Sequence, residues 1–580
     1  MTYNAAALNE LNDKQREICT SSDNYVLTAC PGSGKTRLIT HRLAYLQSKY
    51  SDSRKYNIAI TYTNRAADEI DRRLDDLGVD MSAIWCGTIH QFCMHFIIRP
   101  YAMYSDYLRN GYKIIDEYVT NLYCSEIAKE LNINVGYESP LSFPKIKVEY
   151  LKRLRANREV DFDLILKLSL QLLQKNPFIS ENISAIIRSF HVDEFQDTNE
   201  LQYKILAEIV KKNKNINVMF VGDPNQAIFG SLGATVKGAE EIQELFEVSF
   251  KEDKLTGCYR STSRMIDYYT NFEIEKTGAF SLSRQKDAQG VISYSDAISK
   301  YDLPNIIKEI IERQIENGVD EEEICITAPQ WFQLFNISNS LKELLPSLNF
   351  DSPDISAFKY DPLNPFYLLA KLLFTKPGKR VRIRKKIASE FLSILRNDFQ
   401  VYIDERIDEY SLLNEVNRCK PNAEDGMTFY KNSIYKIFAS IGVNLNQEES
   451  LMEIFNNFIE KSEKRIEVNH IPTAYNDFLK CFMEKHGIVI NTIHGIKGEE
   501  YTTVIALGLL NGRLPNWEYI TKPAKCHLRK LETQKMLYVL ASRAKENLYL
   551  FSERGYFTQG KNKNEYTPTD ELASVVFDYN

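Results

Sequence analysis

The eight residues Ala29-Cys30-Pro31-Gly32-Ser33-Gly34-Lys35-Thr36 constrain this chain more than any other segment. An apolar run, Tyr25-Val26-Leu27-Thr28, precedes them, and a helix-period run from Arg37 to Leu43 follows. A strand, a glycine turn and a helix opening on Lys-Thr form the setting that cradles phosphate. Glycines let backbone N–H groups close on phosphate oxygens, and the helix N-terminus adds its positive end. In that setting Gly32, Ser33 and Gly34 line the cradle, Lys35 would reach the β- and γ-phosphates and Thr36 would bind Mg²⁺. The strict pattern has glycine where Ala29 stands, but Gly32 and Gly34 remain.

Hydrolysis of a bound triphosphate also needs a carboxylate for the metal and a base for water. The run Phe190-His191-Val192 ends in Asp193-Glu194. Asp193 would hold Mg²⁺ and Glu194 would orient or deprotonate the attacking water. The long interval between Lys35 and Asp193 exceeds what a bare nucleotide-binding core needs, which predicts an inserted domain.

Two blocks of short β-branched runs alternate with helix-period segments, the pattern of an α/β fold with parallel sheets. The first block includes Tyr25–Thr28, Ile58–Thr61, Phe190–Asp193 and Val218–Val221; the second includes Val291–Tyr294, Ile324–Thr327, Ile488–Asn491, Val504–Leu507 and Leu548–Phe551. A helical stretch interrupts each, roughly Met94 to Asn182 and roughly Phe358 to Phe482.

Lys and Arg total 72 against 78 Asp and Glu, a net charge of −6. Nucleic-acid contacts must therefore come from local surfaces rather than from the field of the whole protein. Two basic stretches are candidates: Lys145, Lys147, Lys152, Arg153, Arg155 and Arg158, then Lys376, Lys379, Arg380, Arg382, Arg384, Lys385 and Lys386. The ten cysteines form no C-x-x-C pair, which reads as a reduced intracellular protein. Cys86, His90, Cys93 and His95 match the spacing of no common structural zinc site. No leader and no apolar run of ~18 residues is found, so a soluble cytoplasmic chain with no membrane partner is expected.

Further segments match one family. They are Leu11-Asn12-x-x-Gln15, Thr61-Tyr62-Thr63-Asn64-Arg65-Ala66-Ala67, Thr88-Ile89-His90, Asp193-Glu194-Phe195-Gln196-Asp197-Thr198-Asn199, and Val221-Gly222-Asp223-Pro224-x-Gln226. After these come Cys258-Tyr259-Arg260-Ser261, Thr492-Ile493-His494-Gly495-Ile496-Lys497-Gly498-Glu499-Glu500 and Tyr538-Val539-Leu540-Ala541-Ser542-Arg543-Ala544. Together they resemble superfamily-one helicases of the UvrD/Rep/PcrA type, in the family's order and over nearly the whole chain.

That resemblance implies two tandem RecA-like P-loop motor domains, each carrying a mainly helical inserted subdomain. Residues 1–94 with 183–254 would form motor 1A, 95–182 insertion 1B, 255–357 with 483–580 motor 2A, and 358–482 a shortened insertion 2B. ATP would lie between the motors. By the same resemblance Gln15 would read adenine, Arg37 and Tyr259 would pack around the base, and Glu500 would meet the ribose. Gln226 would sense the γ-phosphate, with Arg260 and Arg543 as arginine fingers. Tyr62, Thr63, Asn64, Arg65, Thr88, His90, Thr492 and His494 would line a single-stranded DNA path. The implied activity is Mg²⁺- and ATP-dependent 3′ to 5′ movement on single-stranded DNA, reaching duplex junctions.

Two departures temper the activity. Ser231 and Leu232 stand where the family has Trp and Arg, and the lost stack of ~1–3 kcal/mol predicts a weaker grip on the strand. The second insertion is short and the chain ends soon after Leu550, so any cutting would need a partner nuclease. These features also resemble the compact helicase-like subunit of the Gabija antiphage system. They imply the alternative of a DNA-sensing ATPase that regulates such a nuclease.

Overall fold

The computed structural model describes residues 5–50, 54–136, 139–230, 235–352, 356–375, 381–421, 425–469, 471–483, 486–558 and 563–580. Two six-stranded sheets, all parallel, organise them. The first contains β1 (Tyr25–Ala29), β2 (Tyr56–Thr61), β3 (Ile84–Thr88), β4 (Ile187–Asp193), β5 (Asn217–Gly222) and β6 (Lys251–Leu255). Side by side their order is β3-β2-β4-β5-β1-β6. The second contains β7 (Ile292–Ser295), β8 (Ile324–Ala328), β9 (Phe350–Asp351), β10 (Ile488–Thr492), β11 (Tyr501–Ala506) and β12 (Ala544–Phe551). Its order is β7-β12-β11-β8-β10-β9.

Parallel strands are covered by helices on both faces, so their sequences are apolar at successive positions. In the first sheet Ile58, Ile60 and Phe220 enter the core on one face, whereas Ala59, Met219 and Val221 enter the core on the other. The second sheet divides likewise, with Cys325 and Val504 on one side and Ile324, Ile326 and Ile505 on the other. The α/β class with two parallel sheets is as expected from the sequence.

Between β3 and β4 the chain runs mainly through helices, among them Glu117–Glu130, Pro144–Asn157, Phe162–Lys175 and Pro177–Ile186. Between β9 and β10 lie Pro365–Leu373, Val381–Ser393, Glu409–Arg418, Gly426–Ser440 and Glu449–Asn469, around a core containing Phe366, Phe391, Tyr430, Phe438 and Phe458. Ion pairs fasten this second helical region to the first sheet's helices and to the first helical region. Arg99 meets Asp398 at 2.9 Å and Glu390 at 2.8 Å, Lys371 meets Asp68 at 2.9 Å, and Lys461 meets Asp116 at 2.8 Å.

The basic stretches must be reread against these contacts. Arg382 donates to the Val79 carbonyl at 2.6 Å, Lys386 pairs with Asp71, and Arg384 is buried on the Leu372 and Thr375 carbonyls. Lys385 donates to the Tyr410 hydroxyl at 2.9 Å. These cations join helices to one another because Asp71 and Asp75, on the first motor's helix Asn64–Asp76, face them. Lys376, Lys379 and Arg380 lie outside the described residues. In the first stretch Arg153 is held by Glu126 and Glu130 and Lys152 by Glu149, and Arg158 donates to the Asn110 carbonyl; Lys145, Lys147 and Arg155 are exposed.

Candidate nucleotide cleft and nucleic-acid groove

Open α/β sheets bind ligands beyond the carboxyl ends of their strands. The first sheet's carboxyl edge carries five predicted segments in spatial order. Thr88 ends β3 and His90 follows it, Tyr62 to Arg65 follow β2, Asp193 ends β4 and Glu194 follows it, Gln226 follows β5, and the glycine loop follows β1.

The loop is built by backbone conformation. Gly32 and Gly34 have φ of +70° and +80°, a region that favours glycine, and Gly34 caps the helix Lys35–Lys49. A Cβ at Gly32 would stand 2.5 Å from the Arg260 Cβ, so a side chain there would push the loop off the second motor's arginine. Gln15, almost fully buried, closes a capping box with Asn12 and donates to the Ser33 carbonyl at 2.9 Å. Its amide therefore braces the loop in this structure. Asn12 donates to the Tyr259 hydroxyl at 2.8 Å, and the Arg37 guanidinium lies 5.8 Å from the Tyr259 ring centre. Gln15, Arg37 and Tyr259 thus gather on one side of the loop.

Lys35 reaches the carboxylates, with Nζ 3.8 Å from Glu194 Oε1. Burial and the neighbouring charge of Glu194 push the Asp193 carboxyl up to about 7. Burial opposes ionisation of Glu194 too, yet Lys35 and Lys497 hold its carboxyl below the usual value. Asp223 is pushed up to about 6 by burial, against the pull of Lys35. Asp193, Glu194 and Asp223 gather near the Lys35 ammonium, and their hard oxygen donors suit Mg²⁺. Asp193 with the Thr36 hydroxyl fits such an ion. The Ser33 hydroxyl in the loop is buried and meets no protein partner, as suits a phosphate-binding cradle.

A relay of hydrogen bonds joins these groups to Arg543, immediately before β12 of the second sheet. Gln196 donates to Glu194 at 2.5 Å and accepts from the Asp223 N–H at 3.1 Å. Gln226 donates to Asp223 at 2.8 Å and accepts from Arg543 Nη2 at 2.9 Å. Arg543 also donates to the Val539 carbonyl at 3.0 Å and the Glu499 carbonyl at 3.2 Å. Burial and the charge of Arg260 lower the Arg543 pKa to about 10, which leaves it cationic at neutral pH. Arg260 pairs with Glu500 at 2.6 Å. Burial opposes ionisation of Glu500, but Arg260 holds its carboxyl down at about 2.

The groove half of the edge is aromatic and hydroxyl-rich. The Tyr62 ring, 36% exposed, stacks on Phe229 with centres 4.6 Å apart, and Phe229 meets His494 of the second motor at 5.6 Å. The Thr63 and Thr88 hydroxyls cap the helices Asn64–Asp76 and Ile89–Phe92, and Thr492 accepts from the Gly495 N–H at 3.2 Å. Asn64 Oδ1 is buried with no protein partner. His90 packs edge-on against Phe162 at 5.3 Å, and burial lowers its pKa to about 4. Arg65 is 59% exposed and pairs with Glu499. A cavity of about 250 Å³ is lined together by Tyr62, Thr88, His90, Asp193, Glu194 and Gln202.

Cys86 and Cys93 enter cores on opposite faces of the first sheet, so they cannot share a metal. Among the described residues no group of three His, Cys, Asp or Glu is arranged to hold one, and no helix is long and apolar enough to cross a membrane. Ser231 and Leu232 lie outside the described residues.

Several site groups escaped the sequence reading. Phe229 supplies a stacking face two residues before Ser231. Lys497 of the second motor reaches Asp197 of the first at 2.6 Å and the Gln226 carbonyl at 2.5 Å, and its ammonium sits 4.9 Å from the Phe229 ring centre. Both partners of this ion pair are almost fully buried. Each lies in a segment quoted for the resemblance, but nothing in its local spacing marks it as half of an inter-motor contact.

Two parallel sheets meeting across a phosphate loop, with carboxylates from one side and arginines from the other, define a P-loop protein built on two parallel-sheet units. The UvrD/REP helicase N-terminal domain matches residues 11–139 and 138–247, and the UvrD-like helicase C-terminal domain matches residues 382–555. The chain belongs to the UvrD/Rep helicase family. It is similar to the ATP-dependent DNA helicase PcrA of Staphylococcus epidermidis, 24% identical over 629 residues that cover 94% of this chain and 83% of the relative. The PcrA protein of Staphylococcus aureus is likewise 24% identical, over 632 residues with the same coverage.

Proposed function

We propose that the chain is an ATP-dependent DNA helicase that couples hydrolysis of Mg²⁺-bound ATP to 3′ to 5′ movement on single-stranded DNA. One observation carries the reading: a single sheet edge bears stacking and capping residues, then carboxylates, then the phosphate loop, while Arg543 reaches Gln226 from the other motor. In this reading the two sheets are motors 1A and 2A, and the helical regions are insertions 1B and 2B.

The roles follow from charge and reach. Lys35 and the loop N–H groups hold the β- and γ-phosphates, and Thr36 and Asp193 hold Mg²⁺, which supplies charge neutralisation when bound. Glu194, kept ionised by Lys35, orients and deprotonates the attacking water. Arg260 and Arg543 stabilise the charge of the transferring phosphoryl group, a contribution of about 10³–10⁵ in rate for such arginines. Gln226 lies between Arg543 and Asp223 and so registers the γ-phosphate. Tyr259 and Arg37 flank the adenine beside Gln15, and Glu500 meets the ribose.

Along the groove Tyr62 and Phe229 present faces for bases, and His90 and His494, lowered by burial, act as neutral rings. Thr63, Asn64, Arg65, Thr88 and Thr492 offer hydroxyl, amide and guanidinium groups to phosphates. The test is strand displacement with ATP on duplexes tailed at either end. Opening of the 3′-tailed duplex alone supports the reading, and opening of only the 5′-tailed duplex contradicts the direction.

The second reading, a DNA-sensing subunit that regulates a partner nuclease, draws on Ser231 and Leu232. The Tyr62–Phe229 stack keeps an aromatic face that either reading can use, so strand displacement by the chain alone separates the two.

A further inference from the structure

The segment 493–500 between β10 and β11 runs from the groove to the cleft, since β10 ends at Thr492 and β11 starts at Tyr501. Its residue Glu499 touches both sites. The Glu499 carboxylate, only 12% exposed, pairs with Arg65 of the first motor and accepts from the Tyr501 hydroxyl. Its backbone carbonyl accepts from Arg543 Nη1 at 3.2 Å. The next residue, Glu500, holds Arg260 at 2.6 Å.

In this arrangement donors of both arginines are committed to protein acceptors. Arg543 is spent on Gln226, Val539, Glu499 and Ser542, and Arg260 on Glu500 and the Ser542 carbonyl. Donors held this way are withheld from a phosphate. Arg65, by contrast, is mostly exposed and within the proposed strand path, so a DNA phosphate competes with Glu499 for it.

We propose that Glu499 is a positioning residue that makes hydrolysis depend on DNA. Without DNA its pairing with Arg65 fixes segment 499–500 and keeps Arg543 and Arg260 on protein acceptors. A strand phosphate that takes Arg65 frees Glu499, the segment shifts, and both guanidiniums become available to the nucleotide. The inference rests on the DNA-dependent reading above and adds the residue that transmits the dependence.

The experiment is a double-mutant cycle on ATP turnover in the full chain with Mg²⁺, using Glu499→Gln, Arg65→Gln and the pair, with and without oligothymidylate. Thermal unfolding of each variant shows whether it is folded. Each single variant is expected to raise the DNA-free rate about threefold, the scale of a partly exposed ion pair, and the double variant no further. Glu499→Gln is also expected to halve, at least, the concentration of oligothymidylate needed for half-maximal stimulation. A folded Glu499→Gln variant whose DNA-free rate and DNA response equal those of the unsubstituted chain overturns the inference, as do additive effects in the cycle. A merely structural Glu499 would lower both rates together. An unsubstituted chain that ignores DNA would instead overturn the underlying reading, and the inference with it.

Discussion

The first sheet turns one edge to both sites, whereas the second turns opposite ends of its strands to them. In the first, groove residues after β3 and β2, the carboxylates of β4 and the loop after β1 follow one another along the carboxyl edge. In the second, Thr492 ends β10 and His494 follows it, but Glu500 and Arg543 stand immediately before β11 and β12. The first sheet is therefore a fixed platform on which the sites differ only in position along an edge. The second supplies segments that cross from site to site, and in the proposed reading any movement of one domain against the other would act through them.

The largest test of this contrast removes what the second sheet supplies to the first. Arg543→Ala is expected to lower DNA-stimulated ATP turnover by about 10³–10⁵-fold, and Glu194→Gln on the first sheet by about 10²–10⁴-fold. Steady-state phosphate release measures both; near-normal turnover in the Arg543 variant would leave the second sheet no part in the chemistry.

Next comes the contact between the motors. Lys497→Ala leaves Asp197 buried without its cation, and such a loss costs about 3–5 kcal/mol. A lowered unfolding temperature is expected, with recovery in the Lys497→Ala, Asp197→Asn double variant.

Phe229→Ala acts chiefly on the groove, reaching the cleft only through the Lys497 ammonium 4.9 Å from its ring. Loss of a base stack of about 1–3 kcal/mol predicts single-strand binding weakened about 5- to 150-fold, read by fluorescence anisotropy. The DNA-free rate should change far less, because Phe229 makes no contact with Lys35, Glu194 or Arg543 in the relay described.

A further effect is on pH. Burial lowers His90 to about 4 and His191 to about 3, and both belong to the first sheet's strands or their ends. The folded chain refuses protons that the unfolded chain accepts, so this stability is intact above about pH 6.5 and is lost as pH falls toward 4. His90→Asn should make the decline of the unfolding temperature over that range shallower; an unchanged slope would show that His90 is not the group titrating.

How much was legible in the sequence follows the same contrast. Apolar strands such as Ile324–Ala328, buried at every position, announce a parallel sheet, and the glycine loop and Asp193-Glu194 announce the phosphate site by local pattern alone. The strands Ile84–Thr88 and Lys251–Leu255 were missing from that reading, one because Gly87 interrupts its apolar run and the other because charged Lys251 to Lys254 hold an edge position. Contacts made between motors, such as Lys497 with Asp197 or Glu499 with Arg65, have no local signature, since each joins residues about 300 to 430 positions apart. In the second basic run Arg382 and Lys386 show their charge in sequence but not the aspartates they pair with.

In the proposed reading groove and cleft act as one device. Steady-state ATP hydrolysis with Mg²⁺, with and without single-stranded DNA and with Lys35→Ala as the blank, tests it most directly. Turnover that rises strongly with DNA and vanishes in the Lys35 variant is the predicted result; a rate indifferent to DNA would contradict the account.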